Sequence, residues 1–200
     1  MVGAGTTRHT GGVNRDAKVR AGDLLVATRA LVDPNFSDSV VLVVDADGDG
    51  ALGVVLNRPS AVPVAQVLDG WAEVVDEPET LFVGGPVSPE GALAVGLLSP
   101  DAEPPLGFRE FAGRLGLVDL DTPIEILDGT LVGMRIFAGY SGWAAGQLEA
   151  EIEEGSWHVV PGEVPDVFRH DPSGLWRDVL RRQPGELAWT STQPLDPDCN

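Results

Sequence analysis

Between the apolar runs Val40–Val44 and Ala51–Leu56 stands the string Asp47-Gly48-Asp49-Gly50. Two strand-forming stretches around a glycine-rich turn commit this part of the chain to an antiparallel hairpin. Val40-Val-Leu-Val-Val44 is apolar at every position rather than at alternate ones, the pattern of a strand covered on both faces. The same habit recurs at Leu24–Thr28, Leu81–Val83, Ala92–Leu98, Leu131–Ala138 and Trp157–Val160, each a short apolar segment read as a strand. The longest apolar run, Ala92–Leu98, is far below the roughly 18 residues a membrane helix needs.

Helical patterns are fewer. Pro63–Leu68 opens with a proline and is closed by Gly70. Trp143–Glu154 carries Ala145, Leu148 and Ile152 at helical spacing and ends at Gly155, while Trp143, Gln147 and Glu151 share another face. Gly146, inside that helix, points to a close backbone or to packing alone. Val164–Phe168 reads as a helical turn and Leu175–Arg182 as a second amphipathic helix. The expectation is an α+β domain over residues 22–190, a mixed, curved or barrel-like sheet flanked by helices. Residues 1–21 lack periodicity and are expected to be a disordered leader, and residues 191–200 a C-terminal tail.

The 200 residues carry a net charge of −18, unevenly spread. Arg8, Arg15, Lys18 and Arg20 against Asp16 leave residues 1–22 at +3 and the remainder at −21. Such a body repels polyphosphate, so direct nucleic-acid binding is disfavoured. The single cysteine, Cys199, excludes an intrachain disulfide and a cysteine metal cluster. No secretory or membrane signal is evident, and a cytoplasmic address is expected by elimination. No cofactor is implied.

Several strings bear on chemistry. Asp45–Gly50 matches the first half of a calcium loop, but Leu56 stands where the closing glutamate belongs, so an acidic turn is expected instead. Gly139-Tyr140-Ser141-Gly142-Trp143 lies between a strand and the helix, where a nucleophile elbow would sit, with its second glycine one residue early. Ser141 is either an N-cap or a nucleophile served by His158 or His170. The same turn, ahead of a helix start, suits an anion. Arg58, in Asn57-Arg58-Pro59, either tethers a strand end through an ion pair or grips an anionic ligand. Gly84-Gly85 permits a tight turn or a ligand loop. Arg169, His170, Arg177, Arg181 and Arg182 form a cationic concentration, either partners of the helix dipole or a phosphate or acidic-partner site.

Taken together, Gly22–Thr28 (Gly-Asp-Leu-Leu-Val-Ala-Thr), Asp33-Pro-Asn-Phe36, Gly53–Pro59 (Gly-Val-Val-Leu-Asn-Arg-Pro), Gly84-Gly-Pro-Val87 and Phe137–Glu149 resemble the AlgH/YqgE family of small bacterial proteins. The resemblance implies one α+β domain with a barrel-like mixed sheet and an unsettled function. Relatives have been labelled transcriptional regulators, yet no helix-turn-helix pattern is present here. Many relatives carry a histidine after the Gly-Gly-Pro-Val string, where this chain has Ala94-Val-Gly-Leu-Leu98. The expectation is a non-enzymatic binding or regulatory module for a small anionic ligand or a protein partner. Its surface would comprise Asn57, Arg58, Gly84, Gly85, Gly139, Tyr140, Ser141, Gly142, Trp143 and Gln147. The alternative is a hydrolase of phosphorylated or acyl substrates using Ser141 and a histidine.

Overall fold

The computed structural model describes residues 18–68 and 70–191. Short β-branched segments separated by breakers yield ten strands: β1 (Asp23–Ala27), β2 (Val40–Ala46), β3 (Gly50–Val55), β4 (Pro59–Pro63), β5 (Thr80–Val83), β6 (Val87–Leu98), β7 (Phe108–Ala112), β8 (Leu115–Val118), β9 (Leu131–Ala144) and β10 (Trp157–Pro161). Five short helices accompany them: α1 (Ile124–Leu127), α2 (Gln147–Glu153), α3 (Val164–Val167), α4 (Leu175–Arg181) and α5 (Glu186–Thr190). The sheet order is β10-β1-β2-β3-β9-β6-β8-β7, with β4 paired to β5 and β5 paired to β9. Every pairing is antiparallel except β5 with β9, so the sheet is mixed and curls into a half-barrel of α+β-like class.

The expected hairpin forms between β2 and β3. Its acidic turn closes on itself, Asp47 N–H donating to the Gly50 carbonyl at 3.0 Å and Asp49 N–H to Asp47 Oδ1 at 2.8 Å. The unbroken apolar run of β2 is explained by two covered faces. Leu24, Val26, Val40 and Leu42 pack with Leu175, Trp176, Val179 and Leu180 of α4. Their neighbours Leu25, Ala27, Val41 and Val43 pack with Trp143, Trp157 and Leu148 on the other face. A third cluster gathers Val64, Trp71, Ala94, Met134 and Ile136 under the second half of the sheet.

Four expectations are corrected. The helix expected from Trp143 begins at Gln147, because β9 continues through Ala144. Gly146 is therefore the residue before the helix, at φ +76° with open space around it, and no backbone crosses there. Pro63–Leu68 forms only one 3-10 turn, Val64–Gln66. Val19, assigned to the leader, is buried against the β1–β2 face. The expected leader over residues 1–17 and the tail over 192–200 lie outside the described residues. The β7–β8 hairpin was not anticipated. There the Phe108 ring covers Gly116 and Gly96, which face each other across β6 and β8 and leave room for it.

Candidate functional site

Strand β9 changes partners along its length. Leu131–Ala138 and then Tyr140 pair with β6, Phe137 and Ala138 also pair with β5, and Ser141–Ala144 pairs with β3. The hand-over falls at Gly139, whose φ of +68° only glycine adopts without strain. The Gly84-Gly85 corner lies directly against it. A Cβ on Gly84 would stand 2.3 Å from the Gly139 carbonyl oxygen, and one on Gly85 2.3 Å from that of Tyr140. A Cβ on Gly139 would in turn meet the Gly85 oxygen at 2.7 Å. Hydrogen bonds lock the contact: Gly84 N–H donates to the Ala138 carbonyl at 2.9 Å, and the Gly84 carbonyl accepts from Val55 N–H at 2.9 Å and Ser141 Oγ at 3.1 Å.

Asn57 and Arg58 secure the adjoining strand end. Asn57 Oδ1 accepts from Val40 N–H at 3.0 Å while its Nδ2 donates to the Asp38 carbonyl at 2.8 Å. Arg58 donates to the carbonyls of Asn35 and Ser37, at 2.5 and 3.1 Å, and so pins the Asp33–Phe36 turn. Burial pushes its guanidinium below the ordinary arginine value, against the pull of Asp33 and Asp38. The tether anticipated as an ion pair is thus made to backbone oxygens. Phe36 at the end of that turn stacks on Trp143 (6.1 Å between centroids) and meets Trp157 edge-on (5.5 Å). Both indole N–H groups donate to Glu151 Oε2, at 2.9 and 2.8 Å, and Gln147 Nε2 donates to Glu151 Oε1 at 3.0 Å. Gln147 Oε1 also accepts from Ala144 N–H, closing the strand-to-helix corner.

The glycine corners of distant strings therefore do meet, backbone against backbone. Tyr140 is half-buried there and Gly142 is exposed. Two surface recesses, of about 290 and 490 Å³, are lined by none of the ten residues singled out from the sequence.

The elbow and N-cap readings of Ser141 are both corrected: the residue lies inside β9, fully buried. Trp143 and Trp157 touch across one face of the sheet (6.0 Å between centroids). Strand alternation puts Ser141 on that same face and His158 on the opposite one. Burial also lowers the His158 pKa, favouring its neutral form. His170 is exposed, its Nδ1 2.9 Å from Glu77 Oε2.

The cationic concentration is largely paired internally. Arg182 forks onto both Asp166 oxygens at 2.6 Å, and Asp178 takes Arg169 at 2.9 Å and Arg181 at 2.8 Å. Among the described residues no group of three or more His, Cys, Asp or Glu side chains is placed to hold a metal ion.

Arg135, missed by the sequence reading, is the largest fully buried side chain among the described residues. Its guanidinium lies over the Phe82 ring at 4.3 Å and donates to the carbonyls of Val167, Glu77 and Arg169 at 2.8, 2.8 and 3.1 Å. Burial pushes its pKa down to about 10, opposed by Asp76. A lone charge inside the apolar run Leu131–Ala138 was the available signal.

The model of the AlgH-like family matches residues 24–188 of this chain. The chain belongs to the AlgH-like family. A UPF0301 protein of Streptomyces avermitilis is 53% identical over 182 residues, covering 90% of this chain and 94% of that relative. A Thermobifida fusca UPF0301 protein is 50% identical over 188 residues, with 90% and 94% covered. The crystal structure of protein DIP2367 from Corynebacterium diphtheriae superposes with a TM-score of 0.84 at 34% identity, over 88% of this chain and 94% of that one. The solution structure of AlgH from Pseudomonas aeruginosa gives 0.65 at 26% identity, over 94% and 98%. In this AlgH-like chain four of the five strings that carried the resemblance build the β3–β5–β9 junction and the Phe36 clamp, and the fifth, Gly22–Thr28, forms β1 between β2 and β10.

Proposed function

We propose that this protein is a non-enzymatic binding module that acts in the cytoplasm by presenting a surface to a protein partner, with a regulatory rather than a metabolic role. One observation carries the reading: the Ser141 hydroxyl is fully buried, donates to the Gly84 carbonyl, and lies across the sheet from His158. A nucleophile needs a base within hydrogen-bond reach and a path for substrate, and this placement supports neither. A small anion at Arg58 is also disfavoured, since the guanidinium already serves two backbone carbonyls. The acidic body supports a partner that is not nucleic acid.

The test is Ser141→Ala assayed against p-nitrophenyl acetate and p-nitrophenyl phosphate. The expected result is a folded variant, destabilised by about 1 kcal/mol through the lost hydrogen bond, with hydrolysis at background for both proteins. Turnover by the wild type that vanishes in a folded Ser141→Ala would overturn the reading.

A further inference from the structure

The recess of about 290 Å³ lies away from the β9 junction, between the Glu73–Asp76 segment and the Leu127–Met134 stretch that leads from α1 into β9. Its floor is apolar: Leu127 and Met134 are buried and Leu131 is half-buried. Its rim is apolar as well, with Val74 36% and Val132 56% exposed. Val132 is the extra residue of a bulge, since β9 slips by one between Gly133 and Leu131 opposite β6. Bulges re-aim a strand where it meets a ligand or an edge.

Among the described residues, the charged side chains lining this recess are all acidic: Glu73, Asp76 and Asp128. Asp76 is held in place, its Oδ2 accepting from Met134 N–H at 2.7 Å and its own N–H donating to the Met134 carbonyl at 2.8 Å. Arg135, the residue after Met134 in β9, serves Val167, Glu77 and Arg169 with its nitrogens and also feels the charge of Asp76, so Glu73 and Asp128 supply the exposed negative charge of the rim. Carboxylates over an apolar floor suit a side chain with an apolar stem and a cationic head, that is, lysine or arginine.

We propose that this recess docks a basic segment of a protein partner, one lysine or arginine entering between Glu73 and Asp128 while its apolar neighbours cover Val74 and Val132. The proposal rests on the binding-module reading and names the chemistry of the partner.

The test is an amide NMR titration of the full chain with the peptide Val-Lys-Val-Arg-Val at 0.15 M salt. Shifts are expected to centre on residues 73–76 and 127–134. Glu73→Gln with Asp128→Asn is expected to weaken binding at least tenfold, and Val132→Ser severalfold. Asp47→Asn with Asp49→Asn, remote and equally acidic, should leave it unchanged. Shifts spread over the acidic surface, or equal weakening by both acidic pairs, would mean general charge attraction and overturn the proposal. So would recess amides that move in Arg8→Ser with Arg15→Ser without peptide, which would make the chain's own N-terminal segment the occupant. Failure at this recess without Ser141-dependent turnover leaves the module reading intact; Ser141-dependent turnover sinks that reading separately.

Discussion

Arg135 carries a charge into the apolar interior with no carboxylate within salt-bridge distance among the described residues; three backbone carbonyls from two segments, Glu77 and Val167–Arg169, offset much of its dehydration, while its Nε is left without a partner. Arg135→Met keeps most of the volume and removes the cost of burying a cation, yet orphans oxygens on Glu77, Val167 and Arg169. Each orphan costs about 1–3 kcal/mol, so a net loss of about 2–4 kcal/mol is expected in urea denaturation. Wild-type stability in that variant would show that water or rearrangement supplies the donors. The residue was illegible in the sequence for a physical reason. Its partners are peptide carbonyls, which have no residue identity to complement. Arg58 shows the same limit from the other side: its importance was readable, but its target was taken for a carboxylate because the carbonyls of Asn35 and Ser37 leave no mark in the sequence.

At the scale of elements, β9 holds the two halves of the sheet together, and its glycines mislead a local reading. Gly139 and Gly142 look like a turn leaving the sheet, whereas the strand merely bends and exchanges β5 and β6 for β3. Pairing is a long-range property, so a bend and an exit look alike from within five residues. The β2–β3 hairpin, by contrast, is local and was fully readable. Gly139 and Gly146 allow a clean comparison, both left-handed at +68° and +76°, one packed on the Gly85 carbonyl and the other in open space. Gly146→Ala should cost about 1–2 kcal/mol from the backbone alone. Gly139→Ala should cost about 1–3 kcal/mol more, because the β5–β9 contact must open. Equal losses in denaturant titrations would refute the close-packed junction.

At the scale of the whole molecule, acidification acts on stability in two opposed ways. Protonation relieves the repulsion of a chain at net −18, which favours the compact state. His158 works against this, because burial lowers its pKa below the ordinary value of about 6.5. Between those two values the unfolded chain holds the proton and the folded one does not. The stability due to the neutral ring is therefore complete above about pH 6.5 and is lost as the pH falls toward the folded value. His158→Gln removes this titration and leaves the general charge effect in place. The melting temperature of the variant relative to wild type should then stay level from pH 7.5 to about pH 6.5 and rise as the pH falls from there to pH 5, at constant 0.15 M salt. A difference that stays flat over that range would mean that His158 is solvated enough in the fold to titrate as it does in the unfolded chain, and that the half-barrel leaves this stretch of β10 open to water.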